Sequence, residues 1–121
     1  MKALALSLLL LPSLSFAETF TFSCDYPRRS SKEGIHEVKT QFNLTFIVDK
    51  DSNKAIMLGN NGSVEVIMLQ STEQSAFIEV TESGSMITTA IDHDLNSVHS
   101  RNTVIAGELV PSQYYGKCEV K

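Results

Sequence analysis

The chain has little of what membrane anchors, nucleic acids or cofactors require. In its 121 residues no basic run is longer than Arg28-Arg29, and no apolar run approaches the ~18 residues of a transmembrane helix. Phosphate backbones are held by clustered Lys and Arg, so nucleic acid is not expected as a partner, and neither is a membrane span. No Gly-x-Ser-x-Gly elbow marks a hydrolase nucleophile, and no glycine-rich loop is set to cradle phosphate. Helical periodicity is missing from every long stretch. The three histidines, His36, His93 and His99, lie too far apart for the short ligand spacings of a zinc site. Neither a metal nor another cofactor is expected.

What is present begins with a three-part N-terminus. Met1-Lys2 is positive, Ala3 to Leu11 is apolar apart from Ser7, and Pro12 breaks the run. Ser15-Phe16-Ala17 then gives the small-x-small pattern that signal peptidases cut after. Residues 1–17 therefore read as a cleavable secretory signal peptide, and the product is expected in the periplasm or secreted. Cys24 is not expected to carry a lipid, because it follows Thr21-Phe22-Ser23, seven residues past the expected cut, without the small residues that precede a lipidated cysteine.

Residues 18–121 fit a single domain. Loss of Lys2 leaves nine basic residues against fourteen acidic, a net charge of −5. That balance mildly favours a cationic partner. Cys24 and Cys118 both survive cleavage and sit near the two ends of the domain. In an oxidising compartment they are expected to pair, and a loop that long is worth up to ~4–5 kcal/mol by chain entropy.

Alternation of apolar and polar residues dominates the rest. Phe20, Phe22 and Cys24 share one face; so do Phe42, Leu44, Phe46 and Val48; so do Tyr114, Gly116, Cys118 and Val120. The pattern predicts eight strands, over 18–24, 38–48, 54–60, 63–70, 75–82, 85–91, 97–108 and 114–120. Turn residues punctuate them: Asp49 to Asn53, Asn61-Gly62 with the chemistry of a type I′ turn, Asp92 to Asn96, and Val110-Pro111-Ser112-Gln113. Tyr26 to Glu37 is expected to be irregular. Short connections favour an antiparallel meander, closed as a small barrel or nearly closed as a sandwich, with a disulfide joining first and last strands.

Two acidic clusters invite a metal reading. Asp92-His93-Asp94 is better explained as an exposed turn. Asp49 to Asn53 opens like an EF-hand loop but has Lys54 and Asn60 where Gly and Glu belong, so it reads as a hairpin loop. The most distinctive polar stretch runs through His99, Ser100, Arg101 and Asn102, with Gln113, Tyr114 and Tyr115 beyond it. It is the candidate binding patch, because Arg and Tyr are favoured at interfaces and a strand polar on both faces is not simply core plus solvent. The plainer reading is a strand end with cross-strand packing. If Ser100 and Asn102 point inward, they would line a polar pocket or satisfy buried backbone groups.

Phe20-Thr21-Phe22-Ser23-Cys24, Gly59-Asn60-Asn61-Gly62-Ser63 and the run from Gly107 to Gly116 resemble small exported proteins of alphaproteobacteria. That likeness implies a Gram-negative periplasmic address and no particular activity. In shape the chain also resembles periplasmic inhibitors of C-type lysozyme, small disulfide-containing eight-stranded barrels with an aromatic-x-Cys near the mature N-terminus, here Phe22-Ser23-Cys24. It departs from them in having no Gly soon after Cys24 and no Ser-Gly-x-x-Tyr-like loop. The expectation is a non-catalytic periplasmic binding or interaction module for a small ligand or an envelope protein. The alternatives are an inhibitor of a cationic enzyme such as lysozyme and, less favoured, a small hydrolase.

Overall fold

In the computed structural model, residues 19–121 are described; the signal peptide expected over residues 1–17, with Glu18, lies outside the described residues. Alternating sequence becomes nine strands: β1 (Thr19–Ser31), β2 (Gly34–Glu37), β3 (Asn43–Asp49), β4 (Lys54–Gly59), β5 (Gly62–Gln70), β6 (Gln74–Val80), β7 (Met86–Asp92), β8 (Asn96–Ile105) and β9 (Glu108–Val120). All neighbours are antiparallel, in the order β2-β1-β3-β4-β5-β6-β7-β8-β9, and β1 also pairs with β9. Eight strands thus close a barrel, and β2 adds to the far end of β1. The expected eight-stranded meander is present as a closed barrel rather than an open sandwich.

Several local expectations change. The strand expected over 38–48 begins only at Asn43, residues 38–42 being a connection. Tyr26 to Glu37 is not irregular: β1 runs on to Ser31 and folds back as β2, pairing Arg28 with Glu37 through to Ser31 with Gly34. The strand expected over 97–108 ends at Ile105. Ala106 and Gly107 form the turn, both with positive φ (52° and 82°), and Pro111 lies inside β9. Pro111 is tolerated there because β9 pairs with β1 only as far as Ser112, leaving its outer edge free. At Asn60-Asn61-Gly62 positive φ falls on Gly62 and on neither Asn, so the turn is not type I′.

The inward residues fill one end of the barrel. Phe46 and Phe77 stack at 4.2 Å between centroids, and Phe22 meets Phe77 edge-on at 6.1 Å. Val48, Ala55, Val66, Met68 and Ile91 are buried around them. Each large apolar side chain so buried contributes about 1.5–3 kcal/mol. Both cysteines point inward, as their strand faces required, and bond directly across the seam where Cys24 opposes Cys118.

Just beyond the disulfide, β1 carries one residue more than β9. Asp25 pairs with Lys117, but Arg28 pairs with Tyr115, so Tyr26-Pro27 forms a bulge. The extra residue flips the alternation. Tyr26 is fully buried, Arg28 is exposed, and Arg29 takes the inward position opposite Tyr114. Tyr26 N–H donates to the Phe42 carbonyl at 3.0 Å, and Val38 N–H donates to the Pro27 carbonyl at 2.9 Å. From there β1 leaves β3 and takes β2 as its neighbour. The bulge needs Gly116 opposite it, since a Cβ there would overlap the Asp25 carbonyl.

Gly116→Ala is therefore expected to cost about 1–3 kcal/mol in urea unfolding of the oxidised protein. A Cys24→Ala/Cys118→Ala variant should lose about 2–5 kcal/mol in the same assay. An unchanged midpoint for Gly116→Ala would contradict the close approach at the seam.

Candidate functional site

The end of the barrel beyond the bulge is open. Its inner face is set by strand register: His36, Arg29, Tyr114, His99 and Thr89 stand side by side on β2, β1, β9, β8 and β7. One layer nearer the rim stand Ser112, Arg101, Ile87 and Glu79. Between these strands and the connections at residues 38–40 and 60–61 lies a cavity of about 1000 Å³. Phe42, Leu44, Met57 and Tyr114 give it an apolar floor, and Arg29, Arg101, Lys39, Glu33, Glu37 and Glu79 are among its polar lining.

His99 is the hub beneath that floor. It is fully buried, with ring centroids of Phe42 at 5.6 Å and of Tyr26 and Tyr114 both at 6.0 Å. Arg101 Nε donates to His99 Nε2 at 3.0 Å. Nε2 is then an acceptor, so the proton resides on Nδ1 and is donated to Thr89 Oγ1 at 2.7 Å. Burial first, and the neighbouring Arg101 charge second, push the imidazole pKa down to about 3. Both nitrogens are committed and the ring stays neutral, which suits it to hold Arg101 and not to shuttle protons. Tyr26 is fixed in turn by its hydroxyl contact with Ser97 Oγ at 2.8 Å, and burial raises its pKa to about 12.

Arg101 also lies over two rings, 5.3 Å from the Phe42 centroid and 5.7 Å from that of Tyr114. Arg29 borders the same tyrosine at 5.8 Å. Arg29 Nε is buried without a hydrogen-bond partner. Among the described residues no carboxylate comes within ion-pair distance of either guanidinium.

The expected binding patch is divided between two faces. His99, Arg101 and Tyr114 meet inside the open end. Ser100, Asn102, Gln113 and Tyr115 point outward, which corrects the inward option for Ser100 and Asn102. Outside, three of them form a polar ladder: Gln113 Nε2 donates to Ser100 Oγ at 3.2 Å, and Tyr115 Oη donates to Gln113 Oε1 at 2.9 Å. Sequence reasoning missed Arg29 and Phe42. Pro27 following an alternating run was a signal for the bulge, though not for which arginine it turns inward. Asp92-His93-Asp94 forms the expected turn, with Asp92 Oδ1 accepting from Asp94 N and Asn96 N, both at 2.9 Å.

An ordinary imidazole titrates near 6.5, whereas His99 in the fold titrates near 3. Between those values the unfolded chain binds a proton that the fold refuses. Stability is thus undiminished by His99 above pH ~6.5 and falls as pH drops through that window. From pH 7 to 5 this contributes a loss of about 2 kcal/mol. His99→Gln should remove it. Equal pH slopes for the two proteins, by urea unfolding, would contradict a neutral buried His99.

No known protein family matches the sequence, and no curated protein or solved structure matches the chain.

Proposed function

We propose that the protein is a non-catalytic binding module of the bacterial periplasm, holding a small ligand in the open end of its barrel. The observation that carries this is the contrast between the two ends: one is filled by Phe22, Phe46 and Phe77, the other leaves about 1000 Å³ above an aromatic floor. Ligand sites are typically concave, mostly apolar, and furnished with a few fixed polar groups. Phe42, Tyr114 and the anchored Arg101 supply that combination. Against catalysis stands His99, whose two nitrogens are bonded to Thr89 and Arg101. A disulfide such as Cys24–Cys118 persists in oxidising compartments, which supports the exported address.

A second reading, inhibition of a cationic enzyme such as lysozyme, draws on the β1–β2 hairpin. Its second strand pairs with β1 alone, and Arg28, Lys32 and Ile35 are exposed along the hairpin, the last 73 % accessible.

Mass spectrometry of the oxidised protein purified from the envelope separates the two. A small molecule bound at about one per chain under native conditions and released on unfolding is the expected result. A ligand-free protein that inhibits a C-type lysozyme stoichiometrically would contradict the small-ligand reading and favour the second.

A further inference from the structure

The two arginines at the open end stand without counter-ions. An arginine brought partly out of water is normally matched by a carboxylate or phosphate, because guanidinium is always charged and carries a fork of donors. Arg29 and Arg101 instead flank Tyr114, and among the described residues neither reaches a carboxylate. Arg101 is oriented from behind: its Nε donates a hydrogen bond to His99 Nε2 at 3.0 Å, and its two terminal nitrogens remain as further donors. Arg29 has a buried Nε with no acceptor, an omission that costs about 1–3 kcal/mol in a finished interior. Directly below lies the apolar surface of Phe42, Leu44 and Met57.

Resting on the reading that this cavity holds a small ligand, we propose that the ligand is an amphipathic organic carboxylate. Its head meets Arg29 and Arg101 and its apolar body covers Phe42, Leu44 and Met57. A neutral ligand would leave two half-buried cations unmatched, and an inorganic anion would leave the apolar floor wet. A polyanion is disfavoured because Glu33, Glu37 and Glu79 also line the cavity and offset its basic groups. One anionic head on an apolar body matches both halves of the lining.

The probes are octanoate and octan-1-ol, equal in chain length and different in charge. Each is titrated into the ¹⁵N-labelled oxidised protein, freed of any co-purified molecule by unfolding and refolding with its disulfide intact, and read by amide shifts and calorimetry. Octanoate is expected to shift amides around Phe42, Leu44, Met57 and Tyr114 and to bind about tenfold more tightly than the alcohol, a preference within reach of a charged hydrogen-bonded pair. Arg101→Gln and Arg29→Gln should each bring the two affinities to within about twofold. Arg29→Gln leaves the Thr89–His99–Arg101 chain intact, so it carries the test if Arg101→Gln fails to fold. Equal binding of octanoate and octan-1-ol in the cavity would overturn the anion inference while leaving the small-ligand reading standing. Absence of shifts in the cavity with both probes would overturn the inference, and the native-ligand measurement then decides the wider reading alone. A preference for octanoate that survives both substitutions would likewise overturn it.

Discussion

The structure turns on how β1 closes against β9. A meander of short strands has two free edges until its first and last members pair, and free edges expose unpaired backbone groups. Here the closing pair is bonded covalently at Cys24–Cys118 and then offset by the Tyr26-Pro27 bulge opposite Gly116. The disulfide ties the seam and the bulge changes what lies beyond it. With one residue added to β1, the arginine turned inward is Arg29, and Tyr26 becomes the plug between packed and open halves.

Two environments follow from that one seam. Below it, Phe22, Phe46, Phe77 and their aliphatic neighbours fill the barrel, as small barrels of eight strands commonly are filled. Above it, β1 exchanges β3 for β2: the β1–β3 ladder ends at Asp25 and Asn43, and the cavity lies beyond that point. Phe42 and Tyr114, with centroids 4.6 Å apart, form the aromatic part of the floor at this level, and His99 and Tyr26 pack beneath them as one ring cluster. His99 joins that cluster to the cavity: neutral through burial, it bonds inward to Thr89 and outward to Arg101. A buried imidazole thereby acts as a strut for a charged side chain at the rim.

Much of this was legible in the sequence because period-2 alternation reports directly on which face is buried. The eight barrel strands, the inward cysteines and the pairing of first and last strands all followed from it. What escaped notice depended on backbone geometry that residue types specify weakly. Ala106 adopts positive φ, which alanine seldom does, so its hairpin read as continuous strand and the true turn went unplaced. The bulge inverted the alternation after Tyr26, so a pattern-based reading could not choose between adjacent Arg28 and Arg29. His99, Arg101 and Tyr114 were recognised as distinctive but grouped with outward neighbours, because alternation separates the two faces of a polar strand without saying which one turns inward. A single-residue shift of register moves every side chain to the other face.

The most direct measurement is a high-resolution crystal structure of the oxidised protein purified from the envelope, inspected at the open end. The account predicts density for a bound molecule within hydrogen-bonding distance of Arg29 and Arg101 and in contact with Phe42. An open end collapsed onto itself, with both guanidiniums paired to Glu33, Glu37 or Glu79 and no room for a ligand, would contradict it.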